Sequence, residues 1–301
     1  MKKSLFILTL FAAAILCSCS RIVPEKAFVS ASFSVGMDDG LTKATIDGDG
    51  AAANVNRCII QIWNGDNLYK TIVKTAPAGT RKYYFRNIIL KAEETYDFLF
   101  WADCGTSDGG DLYYSTQSLK NVRMLQPERG NDDAADAFCN RILGFRTETE
   151  YEGDLILHRP LAQLNIISKD LGAVTEIPLA GEFAPVGISY SFSGCTAFDV
   201  REGKSVGEPV PVSVNDVPVY GQTVEDGSCT LAMSYIFPYG GKSVSAVDFK
   251  VRSANGAVIS TSCENVPLQE NYRTNIMGSV MTASGEFSVS VSPMFDGEYL
   301  K

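Results

Sequence analysis

The chain has 301 residues, 45% of them hydrophobic, with 26 Lys+Arg against 35 Asp+Glu and a formal charge of −9. An acidic surface disfavours nucleic acid and anionic lipid headgroups as partners. The length exceeds one typical domain, so two domains are expected, with enough chain to build cores that do not need disulfides.

The N-terminus reads as an export signal. Lys2 and Lys3 precede an apolar run over residues 5–16 that is too short to span a bilayer. Leu16-Cys17-Ser18-Cys19 resembles the bacterial lipobox, with Leu three residues before the modified cysteine and a small residue just before it. The expectation is a signal peptide over residues 1–18, lipidation at Cys19, and a tether over residues 19–26. Such a chain is anchored to the membrane and does not span it.

The body reads as strands and turns. Residues 27–35 (AFVSASFSV) alternate between apolar and small polar. Residues 57–63 (RCIIQIW), the turn Asn64-Gly65-Asp66-Asn67 and residues 68–73 (LYKTIV) predict a hairpin. Residues 83–90 (YYFRNIIL) and 96–103 (YDFLFWAD) predict two more strands, and residues 105–111 (GTSDGGD) a turn. Residues 131–142 (NDDAADAFCNRI) predict one short helix, capped by Asn131 or Asp132. Residues 155–167 (LILHRPLAQLNII) read as one long strand with a bulge near Pro160, because Leu157, Leu161 and Leu164 cannot share a face.

A break over residues 170–181 divides the body into a first unit, 27–170, and a second, 171–301. Strands are expected in the second unit over residues 186–192, 230–238, 246–252, 257–263, 273–282 and 286–292. Gly240-Gly241 and Ala254-Asn255-Gly256 supply hairpin turns. No fixed-period repeat is visible, which disfavours a solenoid or propeller. The pattern predicts an all-β protein of two tandem antiparallel β-sandwich domains.

Chemistry-bearing motifs are sparse. His158 is the single histidine and has no evident orienting partner, and no G-x-S-x-G elbow is present. Asp47-Gly48-Asp49-Gly50 opens like a calcium loop, but the position that needs Glu is Cys58. Asp108-Gly109-Gly110-Asp111 reads as a turn. Cys58, Cys104, Cys139, Cys195, Cys229 and Cys263 are scattered, without C-x-x-C or zinc spacing, and spacing assigns them no pairing. No catalytic residue, metal site or cofactor is therefore expected. Trp63 and Trp101 lie in apolar strands and read as core. Tyr83-Tyr84 and Tyr113-Tyr114 each hold residues that face opposite ways in a strand, so one of each pair is a candidate for a glycan-binding surface.

Three stretches together resemble a known family. They are residues 96–103 (YDFLFWAD), 157–166 (LHRPLAQLNI) and 265–275 (NVPLQENYRTN). They look like the fimbrillin-like, type V pilin-related lipoproteins of Bacteroidales. The resemblance implies two transthyretin-like sandwiches, a lipid anchor in the outer membrane, and display at the cell surface or in a fimbrium. It implies partners of the same kind, joined by strand donation after a protease removes the N-terminal strand behind a basic residue. Here that strand is residues 27–35. The following loop offers Lys43, and Arg57 opens the next strand. A short acidic C-terminus after residue 292 fits a pilus tip, accessory or anchor component, or an adhesin, better than a shaft subunit. A glycan-binding surface lipoprotein on the same body is the alternative, with host or microbial glycans or proteins as partners.

Overall fold

The computed structural model describes residues 27–38, 52–169, 185–221, 228–279 and 287–292. In chain order the first part holds β1 (Phe28–Met37), β2 (Arg57–Asn64), β3 (Asn67–Thr75), β4 (Lys82–Lys91), β5 (Thr95–Asp103), β6 (Tyr114–Ser115), β7 (Val122–Met124), a 3-10 turn (Asp133–Ala135), β8 (Ala137–Arg146) and β9 (Tyr151–Leu157). There follow β10 (Ala162–Ser168), β11 (Pro185–Gly194), β12 (Ala197–Asp199), β13 (Lys204–Val206), β14 (Val210–Pro218), β15 (Cys229–Ile236), β16 (Lys242–Ser253), β17 (Val258–Gln269), β18 (Arg273–Gly278) and β19 (Phe287–Ser292). The protein is all-β.

Two sandwiches account for most of these strands. In the first, sheet β4-β1-β9 faces sheet β3-β2-β5-β8. Strict alternation in β1 sends Val29, Ala31, Phe33, Val35 and Met37 inward. Phe33 is the centre of this core, with its ring 4.8 Å from Phe98 and 5.4 Å from Phe100. In the second, sheet β15-β10-β18-β19 faces β14-β11-β16-β17 around Leu164, Ile166, Ile188, Phe192, Phe249 and Ile276. The 253–257 hairpin closes as its sequence predicts, with Gly256 at φ 85° and Ser253 N–H donating to the Ala257 carbonyl at 2.8 Å.

A third core joins the two. The far faces of β2 and β5 (Ile59, Trp63, Leu99, Trp101) meet Met233, Tyr235 and Phe237 from β15 and its end. The small sheet β13-β12-β7-β6 covers this contact, and it pairs β7 of the first part with β12 of the second. This explains the unbroken apolar runs of β2 and β5, which are buried on both faces. The edge strand β3 is exposed at nearly every position.

The structure corrects three expectations. Residues 131–142 are not a helix. A 3-10 turn spans only Asp133–Ala135, capped by Asp132, which accepts from Ala134 N–H, and the rest enters β8. The free edge of β5 takes residues 137–146 as its neighbour, and that ladder outweighs a weak local propensity. Residues 155–167 are not one strand. β9 ends at Leu157 and β10 begins at Ala162, in different sheets, around Pro160, which has no N–H to give a ladder. Finally, the sheets are mixed. β1–β9 and β10–β18 run parallel, because each pair is joined through long crossovers and not hairpins. Residues 162–168, read with the first unit from sequence, pair with β15 and β18.

Arg57 shows what one buried charge holds. Its Nε and Nη2 each donate to Asp103 at 2.7 Å, and its Nη1 donates to the Gly109 carbonyl and to Asp111 at 3.0 Å. The turn at residues 105–111 is thereby fastened to β2. Burial alone would push the Arg57 pKa down, but Asp103 and Asp111 hold it above its ordinary value. Arg57→Met should destabilise the protein by about 3–5 kcal/mol, since the Asp103 carboxylate is left unpaired in the interior. Adding Asp103→Asn should return at least half of that loss. Urea unfolding of the two variants checks this, and a cost below about 1 kcal/mol for Arg57→Met would refute it.

Candidate interaction site

β1 is the strand on which an exchange mechanism would act. It lies between two neighbours, paired antiparallel with β4 from Phe28↔Lys91 to Gly36↔Lys82 and parallel with β9 from Ala31↔Tyr151 to Met37↔Leu157. Its larger inward side chains, Val29, Phe33, Val35 and Met37, contribute roughly 1.5–3 kcal/mol each by burial. Taking β1 away would uncover backbone donors and acceptors on both flanking strands and open a slot against Phe85, Phe98 and Tyr151.

The residues singled out from sequence are dispersed. Cys19 and Lys43 lie outside the described residues, as does Asp47-Gly48-Asp49-Gly50. Arg57 is the first residue of β2, 1% exposed and held by its ion pairs. Cys58, Cys104, Cys139, Cys195 and Cys263 stand as free thiols, and burial pushes each of them up, away from reactivity. Cys229 Sγ donates to the Gly221 carbonyl at 3.3 Å. His158 is exposed at the end of β9, with Nδ1 3.1 Å from an Asp38 carboxylate oxygen. Among the described residues, no group of three or more His, Cys, Asp or Glu side chains is placed to hold a metal ion.

The aromatic pairs divide unevenly. Trp101 is core, with Nε1 donating to Asp103 at 3.0 Å, and Trp63 lies under the Lys120 ammonium, 3.9 Å from its ring. Tyr83, Tyr113 and Tyr114 are buried, whereas Tyr84 is 47% exposed on the outer face of β4. The candidate surface ring is therefore Tyr84, not Tyr83 or Tyr113. Both members of the second pair are inside because Tyr113 donates to Asp132 at 2.7 Å and Tyr114 to the Ala135 carbonyl.

Sequence reasoning missed the polar junction between the sandwiches. Arg159, at the crossing from β9 to β10, donates through Nε and Nη2 to both Asp136 oxygens at 2.6 Å. Tyr235 donates to Asp133 at 2.8 Å, Gln163 donates to Tyr235 at 3.1 Å, and Arg273 donates to Gln163 at 2.7 Å. Asn165 and Asn275 are joined side by side at 2.9 Å. Across the junction Arg201 reaches Asp97 at 2.8 Å, and Arg141 donates to the Val200 carbonyl at 3.1 Å. The only sequence signal was that residues 157–166 and 265–275 carry the resemblance. β10 and β18, the strands they feed, turn out to be neighbours in register, Gln163↔Arg273 through Asn165↔Asn275.

Comparison with known proteins places the chain further. It matches a family model over residues 24–301, described as a family of unknown function (DUF6562). Among solved structures it is similar to a candidate cell adhesion protein from Bacteroides ovatus (13% identity, TM-score 0.52, covering 89% of this chain and 97% of that one). It is also similar to a candidate cell adhesion protein from Parabacteroides distasonis (11%, TM-score 0.50, 88% and 96%). A fimbrial anchor protein from Porphyromonas gingivalis matches at 11% identity and a TM-score of 0.44, over 88% and 98%. At these identities the first two likenesses establish the fold. No curated protein matches the sequence.

Burial pushes the Asp133 carboxyl up to about 6, and burial pushes Glu270 up to about 7 against the pull of Arg141. Both groups hold a proton in the folded chain at pH values where the unfolded chain has released it. Stability should therefore rise as pH falls from 8 to 5, opposite to the trend of a paired carboxylate. Thermal unfolding at pH 8, 7, 6 and 5 should show Tm climbing, by roughly 2–4 °C for each kcal/mol gained in a chain of this size. Asp133→Asn should flatten the part of the climb below pH 6. A Tm that falls over this range would contradict the assignment.

Proposed function

The chain belongs to the family of unknown function DUF6562, and from that premise we propose that it is a non-enzymatic, fimbrillin-like surface lipoprotein that joins its partners by strand addition. The observation that carries this reading is the place of β1: the first strand among the described residues, central in its sheet, with an apolar inner face and two hydrogen-bonded neighbours. A strand donated by another subunit satisfies the same backbone groups and fills the same slot. The description of the Bacteroides ovatus and Parabacteroides distasonis proteins as candidate cell adhesion proteins supports it.

In this reading Cys19 carries the lipid that anchors the chain to the outer membrane, with the body at the cell surface or in a fimbrium. Lys43 is the basic residue of the segment between β1 and β2, and it is the cleavage point we favour over Arg57, whose side chain is buried. The role is a pilus tip, accessory or anchor component, or an adhesin. A second reading, glycan binding by the same body, is favoured by the exposure of Tyr84 on the outer face of the β4-β1-β9 sheet.

A chain beginning at Ala44 should bind a synthetic peptide of residues 27–37, or form higher-order species by light scattering, while the uncleaved chain stays monomeric. A monomer that ignores the peptide would remove strand addition. Separately, Cys19→Ala should shift the protein from the membrane to the soluble fraction, and continued membrane partition would remove the anchor.

A further inference from the structure

The outer face of the first sandwich forms a trough that runs along β1, with a volume of about 790 Å³. Its floor is made of small residues, among them Ser32 and Ser34. Register sets the walls. Ser34 lies opposite Tyr84 on β4 and Asp154 on β9, and Ser32 lies opposite Glu152. The two walls are therefore two strand spacings apart, roughly 10 Å. Arg86 and Lys82 lie over the Tyr84 ring at 5.4 and 5.6 Å, so this wall presents donors beside an aromatic surface. The opposite wall presents carboxylate acceptors and then Ile156, which is 48% exposed. On the floor, Ser32 Oγ accepts from the Asn87 N–H at 3.2 Å, which leaves its own O–H to donate.

We propose that this trough binds a linear neutral glycan, laid along β1 with its hydroxyls on Asp154, Glu152 and the floor serines and its C–H faces on Tyr84 and Ile156. This rests on the second reading above and names its site. A glycan ring alternates apolar faces with hydroxyls that both donate and accept, and so do the lining groups. An added peptide strand does not fit, because the ladder groups of β1 are already used by β4 and β9 and the trough offers only side chains. Anionic lipid or nucleic acid would meet Asp154 and Glu152 along one wall. The site is composed across three strands, so it exists only while β1 is seated.

The test uses the full chain and cello-, xylo-, manno- and malto-hexaose as probes, by calorimetry and by 15N–1H titration. At least one should bind, with shifts at Ser32, Ser34 and Asp154. Tyr84→Ala and Asp154→Asn should each weaken it about tenfold or more. Tyr239→Ala, an exposed ring of the second sandwich, should leave it unchanged. Binding that ignores Tyr84→Ala and Asp154→Asn would overturn the site but keep the glycan reading. No binding by these probes or by a broader oligosaccharide array would overturn both. A change of sedimentation on Tyr84→Ala without sugar would assign the face to a second copy and overturn the proposal. Unchanged thermal unfolding of both variants, whose side chains are exposed, separates lost binding from lost folding.

Discussion

Arg159 is placed where the chain leaves one sandwich for the other, and its bidentate bond to Asp136 decides where that crossing goes. A charge this deep is costly to desolvate, so the pair adds little net stability compared with an apolar substitute. What the pair supplies is a geometric tie between the crossing and the start of β8. With Asp136 fixed at the start of β8 and Asn271 within 3.4 Å just before β18, few other routes from β9 to β10 leave the guanidinium satisfied. The energy of the fold comes instead from three apolar cores, and the third, around Trp101 and Phe237, makes the two sandwiches share an interior. Polar residues choose the arrangement, and apolar ones hold it.

β1 serves two environments at once. Its odd-numbered residues from Val29 to Met37 complete the first core, and of its small outward residues Ser30, Ser32, Ser34 and Gly36, Ser32 and Ser34 floor an open trough. Small outward residues leave room between the flanking walls. At Gly36 a Cβ would stand 3.2 Å from Ile156 Cδ1, so glycine keeps that end of the trough clear. In the proposed reading β1 is both the strand exchanged in assembly and the floor of the surface site, which ties assembly and recognition to one segment. Those two roles compete for the same strand.

Much of the strand content was legible because alternation and β-branched runs reflect burial directly, as in β1, β2, β4 and β5. What failed was what depends on remote neighbours. Residues 131–142 have a capping acid and small residues that suit a helix, but nothing local announces the open edge of β5. β6, β7, β12 and β13 are too short for any period to show, and they form only because the third core needs a cover. β14 carries Pro211 and Pro218, which discourage a strand reading and are tolerated because it lies at a sheet edge. Local alternation also could not tell that Tyr113 and Tyr114 are both enclosed, since their partners come from the 3-10 turn about twenty residues on. The junction of Asp133, Arg159, Tyr235 and Arg273 is spread over most of the chain and had no sequence signal beyond two stretches of family resemblance.

The parallel alignment of β1 with β9 has a mechanical meaning. β9 runs directly into the crossing toward the second sandwich, so tension applied at residue 27 and resisted at the far end drags these neighbours in opposite senses along their length. Every rung on both sides of β1 is then sheared together, where an antiparallel terminal hairpin would unzip one rung at a time. Forced rupture is governed by the unfolding barrier and not by equilibrium stability. Pulled along this axis, the molecule resists as a rivet does, because the rungs that hold β1 must give way together.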